Sequence, residues 1–384
     1  MNAVPNRSAA IDGIRGLAAL SVLGFHVWLY RENRPKGHRS LLFDQVGFAL
    51  HLGLVCFFVL SGFLLYRAFP RAALGGPRAD VGTYAMRRVA RIVPAYYVAI
   101  AGVLAIFALS GFDTITPTPG QLPVFLAFGQ NYSMDTIMQL IPVAWTLCVE
   151  AAFYVVLPLI GLLALRIGRR PRAQAALLVG IVLLSTAWNR VVVDQGWNDV
   201  VQKALPTFMG IFACGMLAAL WIEHRRSREA PVLSARTTAL LTLTGAAFVI
   251  GHSAWMETTF SLDGWRPAVR DLPAAAGFAL VIAAAAAGRG PVLRGLAWRP
   301  LAGAGVVSYG LYLWHLPVLL AVREAGLLPE PFAPRLAVVL VLSFLAAWLS
   351  WRLVERPAIA WSHRRAQRRV RAPVTQPAPA GARS

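Results

Sequence analysis

Apolar runs of about twenty residues recur along the whole chain, separated by short polar segments. A helical run of that length matches the thickness of a bilayer. A sliding window of about 19 residues gives ten predicted spans. They lie near 11–30, 47–66, 92–111, 143–165, 173–193, 203–223, 237–256, 271–288, 301–322 and 335–353. The pattern predicts an all-α, polytopic integral membrane protein with about ten transmembrane helices.

Composition supports this fold class. Only 14% of the 384 residues are charged and 57% are hydrophobic, whereas a soluble domain carries about 25% charged residues. The net charge of +20 would suit nucleic acid, but the basic residues cluster between apolar runs, as they do in inward-facing loops. Nucleic-acid binding is therefore not expected. We expect a membrane domain over 1–356 and a basic, Pro/Ala-rich, disordered cytoplasmic tail over 357–384.

The distribution of arginine predicts the orientation. With the N-terminus inside, 27 of the 37 Lys and Arg residues fall on the inner side, so the positive-inside rule places both termini in the cytoplasm. One loop violates the rule, because Arg31, Arg34, Lys36 and Arg39 would face outward. The strong preference for arginine over lysine is typical of a GC-rich bacterial genome. We expect a multi-pass protein of the inner (plasma) membrane.

Arg15 and His26 lie in the first apolar run. Eleven helical residues return to within roughly 20° of the start and rise about 16 Å, so the two side chains share one face. Asp12 lies near that face and is placed to pair with Arg15. The structural alternative is that Arg15 reaches lipid headgroups and His26 makes an interhelical hydrogen bond.

Glu150 and His315 lie in two other predicted spans. Counted from the span ends, Glu150 lies about 10 Å below the outer surface and His315 about 21 Å from the inner one. Both depths are close to that of His26. Ionisable groups inside a membrane protein usually face the bundle interior and mark a functional path. A buried Glu–His pair that only joins helices is the alternative.

Arg88 and Arg91 are three residues apart, so they share a helix face at the predicted inner surface. Their guanidinium groups are suited to phosphate oxygens, and anionic lipid is the alternative partner. Ser61 and Gly62 are small residues that favour close helix packing. The cysteines show no metal-ligand spacing, and there is no serine-hydrolase or phosphate-loop motif. No metal is predicted.

Five stretches resemble, in order, the acyltransferase 3 family of membrane acyltransferases. They span residues from about 9 to 356, and the ordered set is far more specific than any single stretch. They are 11–20 (IDGIRGLAAL) with the Arg15–His26 pair, 57–63 (FFVLSGF), 87–94 (RRVARIVP), 145–154 (WTLCVEAAFY) and 308–315 (SYGLYLWH).

The resemblance implies a ten-helix enzyme that transfers an acyl group, such as acetyl, from cytoplasmic acyl-CoA to a hydroxyl of a glycan or glycosylated metabolite. It implies that Arg15 and His26 are essential, with His26 as the catalytic base. It also implies that Arg88 and Arg91 belong to the acyl-CoA site, to which Arg15 is added here. Candidate substrate-binding residues are His315, Asp12, Tyr154 and Trp145.

The expected mechanism has neutral His26 accept the proton of the acceptor hydroxyl. The sequence does not separate direct transfer from an acyl-histidine intermediate. Glu150 is expected to orient the imidazole and stabilise the imidazolium, and His315 to bind the acceptor or the developing oxyanion. The alternative function is a proton-coupled transporter or flippase for glycolipids or metabolites, since intramembrane His, Glu and Arg suit a carrier as well.

Overall fold

The computed structural model of the protein describes residues 9–31, 42–77, 79–110, 115–258 and 266–371. Within these ranges the chain is helical and has no β-strand. The helices, numbered in chain order, are α1 Ala9–Leu29, α2 Leu42–Ala49, α3 Leu52–Tyr66, α4 Ala68–Ala73, α5 Val81–Ser110, α6 Leu122–Leu126, α7 Trp145–Ile167, α8 Pro171–Asp194, α9 Asp199–Gln202, α10 Leu205–Ser227, α11 Ala235–Thr258, α12 Arg266–Val269, α13 Leu272–Ala287, α14 Pro291–Leu296, α15 Arg299–Val306, α16 Ser308–Glu324, α17 Phe332–Ser350 and α18 Arg356–Arg371.

The described residues form nine segments that are long and apolar enough to cross a membrane, or ten if the bent pair α15 and α16 counts as one span. Each predicted span coincides with one of these segments, and the predicted span 301–322 is the bent pair. The prediction of an all-α, polytopic membrane protein is therefore confirmed.

Helix α1 packs closely against α14 and α15 because small residues line the contact. A Cβ added to Gly13 would lie 1.7 Å from the carbonyl oxygen of Leu296, and one added to Gly305 would lie 1.8 Å from that of Asp12. Glycines permit such backbone approach between helices in a membrane. The contact fixes the path of the chain into the break that follows.

The break between α15 and α16 lies at Val307, where the chain bends by 76°. No proline causes it, since Pro317 lies further along, inside α16. The bend separates two contacts with α1, one through Gly305 and one through Ser308. It allows α16 to cross α1 at a new angle.

One end of the bundle is basic. The carboxylate of Glu223 on α10, only 2% exposed, accepts hydrogen bonds from Arg67 at 2.7 Å, Arg71 at 3.0 Å and Arg226 at 3.1 Å. We call this the arginine end. The opposite end, where α1 ends and α3 begins, holds His26 and His51, and we call it the histidine end.

At the histidine end, the structure accounts for part of the loop that violates the positive-inside rule. The guanidinium of Arg31 forms an ion pair with Asp44 on α2 and lies 5.0 Å from the ring centroid of Trp28. Its charge is thus neutralised locally. Arg34, Lys36 and Arg39 lie outside the described residues, and the orientation of the termini stays a prediction.

The segment expected to be a disordered tail is helical as far as Arg371. A π-helical turn over Trp351–Glu355 joins α17 to α18. Ser362 and Ala366 are buried, four residues apart, on the side of α18 that packs against α5. This small-residue stripe gives the basic segment a surface to bury, which composition alone did not reveal. Residues 372–384 lie outside the described residues.

A matched pair of substitutions tests the contact between α1 and α15. Gly305→Ala places a methyl group against the carbonyl oxygen of Asp12, whereas Gly303→Ala, in the same helix, meets nothing within 4 Å. Overpacking of this kind costs roughly 1–3 kcal/mol. We expect thermal unfolding in detergent to show a clear loss of stability for Gly305→Ala and none for Gly303→Ala. Equal melting temperatures would contradict the close contact.

Candidate active site

Arg15 and His26 both face α16, as their eleven-residue spacing predicts. Arg15 Nη2 donates a hydrogen bond to Ser308 Oγ at 2.9 Å. One end of the same face carries His26, whose Nδ1 lies 3.2 Å from Nε2 of His315. The two contacts join the N-terminal and C-terminal parts of the chain.

The hydrogen bonds assign the protons of both imidazoles. His26 Nδ1 lies 2.8 Å from the carbonyl oxygen of Val22, and His315 Nδ1 lies 3.1 Å from that of Leu311. A carbonyl oxygen only accepts, so both Nδ1 atoms carry a proton. In the neutral pair, His315 Nε2 is then unprotonated, and the single Nδ1–H of His26 is shared between the carbonyl oxygen of Val22 at 2.8 Å and His315 Nε2 at 3.2 Å. This assignment is inferred from the network.

The other ring nitrogen of His26, Nε2, differs from Nδ1 in its hydrogen bonding. Among the hydrogen bonds of the described residues, His26 uses only Nδ1, so its unprotonated Nε2 keeps a lone pair. His26 is partly exposed, whereas His315 is only 1% exposed. His26 is therefore the more exposed member of the pair, and His315 is the buried one.

The contact between the two histidines agrees with their predicted similar depth, but the counting behind His315 was wrong. The estimate assumed a straight helix from residue 301, whereas the chain bends by 76° before Ser308. Only the seven helical steps from Ser308 to His315 belong to the straight part, a rise of about 10 Å. The bend, and not the length of the run, brings His315 to His26.

Glu150 has partners other than those expected. Its Oε2 accepts a hydrogen bond from Tyr154 at 3.0 Å, and its Oε1 accepts one from Ser61 on α3. The described hydrogen bonds of His26 do not include Glu150. The ring-orienting contact expected of Glu150 is made by His315, because α16 and not α7 lies against this part of α1.

Ser61 was expected to serve helix packing. Gly62 does so, since a Cβ there would lie 2.1 Å from the carbonyl oxygen of Phe212. The Ser61 hydroxyl instead faces α7 and binds Glu150. Gly62 thus permits close helix packing, whereas Ser61 binds a carboxylate.

A buried hydroxyl pair lies beside the histidines. The hydroxyls of Tyr312 and Thr146 are 2.6 Å apart, and the Tyr312 ring centroid is 5.7 Å from that of His315. Thr146 is one helical turn from Glu150 on α7. Polar groups therefore continue from the histidine pair towards Glu150.

A cavity of about 550 Å³ lies at the arginine end, between α3, α5 and α18. Arg87 and Arg88 line it, together with Asp80 and Tyr84. Asp80 caps α5 by accepting hydrogen bonds from the backbone N–H groups of Gly82 and Thr83. The cavity thus combines guanidinium groups with the N-terminal turn of a long helix.

The guanidinium group of Arg88 is available to a ligand. Its Nε is buried and has no hydrogen-bond partner among the described residues. Arg88 lies within electrostatic range of Glu150 and of Arg91, so the cavity borders the polar groups of the bundle interior. Arg91, in turn, lies within electrostatic range of the buried carboxylate of Glu355, as does Arg15.

Trp145 and Asp12, two further residues predicted for the site, contact other parts of the bundle. Trp145 begins α7, and its ring packs 5.5 Å from that of Phe208 on α10. Asp12 is 7% exposed, beneath Gly305. The pairing of Asp12 with Arg15 and the substrate-binding roles of Asp12, Trp145, Tyr154 and His315 stay predictions.

The sequence analysis missed Ser308, Tyr312 and Glu355. Both Ser308 and Tyr312 lie within the quoted stretch 308–315. Ser308 is two turns and Tyr312 one turn before His315, on nearly the same helix face, and this spacing was the available signal. Glu355 reaches the bundle interior through a π-helical turn. Such a turn is not visible in hydropathy.

Membrane-spanning helices thus surround a group of histidine, carboxylate and arginine side chains, and the fold and this site are those of an integral membrane protein with ionisable groups in its interior. The chain matches the family profile described as "Acyltransferase domain" over residues 8–352. It belongs to this family, the acyltransferase 3 family, as the ordered stretches indicated.

Several characterised proteins are similar to this chain. It is 23% identical over 363 residues to the peptidoglycan O-acetyltransferase OatA of Listeria monocytogenes, covering 91% of this chain and 55% of that protein. It is 24% identical to the putative peptidoglycan O-acetyltransferase YrhL of Bacillus subtilis, covering 94% and 56%. It is 28% identical to Nodulation protein 10 of Rhizobium leguminosarum, covering 91% and 92%.

The chain thus spans about half the length of the two O-acetyltransferases and nearly all of the nodulation protein. No solved structure is significantly similar to it.

NMR spectroscopy measures which ring nitrogens of His26 and His315 carry a proton. With ¹⁵N-labelled histidine, we expect His26 and His315 to be neutral and protonated at Nδ1, because each Nδ1 faces a carbonyl oxygen. Single His→Gln variants would assign the signals among the seven histidines. A His26 protonated at Nε2 would contradict the geometry, since its only lone pair would then face Val22.

Proposed function

We propose that this chain transfers an acetyl or other short acyl group from acyl-CoA to a hydroxyl of a glycan or glycosylated metabolite, with His26 as general base. The observation that carries the proposal is the contact of His26 with His315, which leaves Nε2 unprotonated on a partly exposed His26 side chain. The names of OatA, a peptidoglycan O-acetyltransferase, and of YrhL, a putative one, support a glycan acceptor.

The proposed reaction needs one base and one anion site. An acceptor hydroxyl gives its proton to His26 Nε2 while its oxygen attacks the thioester carbonyl carbon. The carbon–sulfur bond breaks, and the CoA sulfur takes the proton back from the imidazolium. The ester and free CoA are the products. All protons are thus accounted for by one imidazole.

His315 stabilises the protonated state of His26. Its Nε2 accepts the hydrogen bond from His26 Nδ1, and its own Nδ1 is held by the carbonyl oxygen of Leu311. A fixed acceptor behind the catalytic imidazole performs the orienting role that a carboxylate has in hydrolase triads. A neutral partner does this without placing a second charge in the bundle.

The donor binds at the arginine end in this proposal. Acyl-CoA carries several phosphates at its nucleotide end, and guanidinium groups bind phosphate through paired, charge-assisted hydrogen bonds. Arg88 lines the cavity, and Arg91 follows it by three residues on α5. Both supply these donors in the proposal, and Arg15 lies further along the bundle, bound to Ser308. The slender pantetheine arm then runs past Arg15 towards His26, a rise of about 16 Å.

The proposed setting follows from this polarity. Cytoplasmic acyl-CoA requires the arginine end to face the cytoplasm, which agrees with the positive-inside rule. The histidine end then faces the opposite side of the bacterial plasma membrane, and both termini are cytoplasmic.

Histidine variants test the chemistry. General-base catalysis contributes about 10²–10⁴-fold to a rate, so we expect His26→Gln to lower kcat for transfer from acetyl-CoA by that order. His315→Gln should cause a smaller loss, about tenfold, because only the support of the imidazole changes. His224→Gln, at the arginine end, is the control. Full transfer by His26→Gln, with unchanged folding in detergent, would remove His26 from the chemistry.

Arginine variants test the donor site. The double variant Arg88→Ala with Arg91→Ala should bind CoA at least tenfold more weakly, because two phosphate-binding groups are lost. The control is Arg190→Ala, whose guanidinium pairs with Asp194 away from the cavity. Binding of radiolabelled acetyl-CoA at several salt concentrations measures the effect.

Two outcomes of this experiment would contradict the proposal. Unchanged CoA affinity in the double variant would favour a site for anionic lipid. Absence of CoA binding by the unaltered protein would favour a carrier, which needs no thioester donor.

A further inference from the structure

A second cluster of ionisable groups lies at the histidine end, outside the site described above. Asp271 Oδ1 lies 3.2 Å from Nε2 of His252 on α11 and 3.6 Å from Nε2 of His51, which precedes α3. Asp271 itself immediately precedes α13. Three separate parts of the chain therefore meet at one carboxylate. We call this the Asp271 cluster.

The local backbone does not require this arrangement. Asp271 occupies the N-cap position of α13, where an aspartate usually accepts hydrogen bonds from the first helical N–H groups. Its side chain makes no such bond. Arg270, the preceding residue, has a φ of 44°, which is costly for a residue other than glycine. The backbone thus turns the carboxylate away from the helix and towards the histidines.

The cluster is also not needed to hold α11 against α13. These helices already meet through glycines, since a Cβ added to Gly245 would lie 2.5 Å from the carbonyl oxygen of Gly277, and the reverse is equally close. Backbone contact of this kind joins membrane helices by itself. A purely structural tie therefore does not account for the carboxylate and its two imidazoles.

The cluster keeps unused hydrogen-bonding capacity. The imidazoles of His51 and His252 both contact Oδ1 of Asp271. Oδ2 of Asp271 has no hydrogen-bond partner among the described residues. The Asp271 side chain is 19% exposed. Nδ1 of His252 is buried and likewise has no hydrogen-bond partner among the described residues. A carboxylate has about four acceptor positions, so the cluster can accept hydroxyl groups of a ligand.

Aromatic rings connect the cluster to His26. The ring of Phe25 lies 5.1 Å from that of His26 and 6.1 Å from that of His51. The ring of Phe48 lies 4.6 Å from that of His51. Apolar and aromatic walls with a few polar groups are typical of small-ligand sites. The ring of Phe25 thus lies between His26 and the Asp271 cluster.

We infer that the Asp271 cluster, with Phe25 and Phe48, binds a sugar ring of the acceptor and presents its neighbouring hydroxyl to His26. A sugar offers hydroxyl donors to the carboxylate and C–H faces to the aromatic rings. A site built to bind a hydroxyl also rejects analogues that lack it. The inference rests on the proposed function and adds the place and chemistry of acceptor recognition.

Steady-state kinetics with the full chain in detergent tests this inference. The probes are acetyl-CoA as donor and soluble peptidoglycan fragments or chitotetraose as acceptor. We expect Asp271→Asn to raise the KM for the acceptor at least tenfold and to leave the KM for acetyl-CoA unchanged. The control is Asp194→Asn, the same chemical change at an aspartate that pairs with Arg190 outside the cluster.

A second variant guards against misfolding. His51→Gln changes a more exposed member of the cluster, whose side chain is 25% exposed, and should raise the acceptor KM several-fold with an unchanged melting temperature. Unchanged acceptor KM in both folded variants would overturn the inference. A loss of stability for Asp271→Asn, together with an unchanged acceptor KM for His51→Gln, would show a structural tie and would also overturn it.

Direct binding separates this inference from the proposed function. The affinity for the same fragments is measured without donor, by calorimetry, and should fall at least tenfold in Asp271→Asn. If the unaltered protein binds fragments through Asp271 but transfers no acyl group, the proposed function fails and the subsite remains. If it transfers acyl groups with unaltered affinity in Asp271→Asn, only the subsite fails. If the unaltered protein binds neither probe, the subsite is also overturned.

Discussion

The close backbone contact of α1 with α14 and α15 fixes the geometry on which the site depends. Gly13 and Gly305 let main chains from opposite ends of the sequence meet without side chains between them. With α1 held there, the 76° bend before Ser308 directs α16 across the polar face of α1. Arg15 then meets Ser308 and His26 meets His315. Any displacement of this contact separates both pairs at once.

The two ends of the bundle differ in the ionisable groups that they carry. At the arginine end, Glu223 gathers three guanidinium groups and a cavity exposes further ones. Beside α16, the histidines form a pair whose hydrogen bonds are satisfied by carbonyl oxygens and by each other, so neither needs a counter-ion. This division suits a reaction between an anionic donor and a neutral hydroxyl, because the groups that would bind phosphate lie far from the atoms that would react. The Asp271 cluster adds a carboxylate where hydroxyl groups would arrive.

The polar residues in the interior of the bundle pair with one another. A buried polar group in a membrane protein is costly unless it has a partner. Glu150 on α7 accepts hydrogen bonds from Tyr154 on the same helix and from Ser61 on α3, and the hydroxyl of Tyr312 on α16 pairs with that of Thr146 on α7. Each such group therefore specifies which helices must be neighbours. Function and helix arrangement depend on the same hydrogen bonds, which is why substitutions here require folding controls.

The sequence by itself determined the number and position of the spans, the shared face of Arg15 and His26, and the family, because these follow from hydropathy, helical periodicity and ordered local motifs. It did not determine which helices touch. The bend before Ser308, the contact of His26 with His315 in place of Glu150, and the meeting of His51, His252 and Asp271 arise from packing between segments distant in the chain. Apolar spans look alike in sequence, and only close glycine contacts and specific hydrogen bonds in three dimensions select their neighbours.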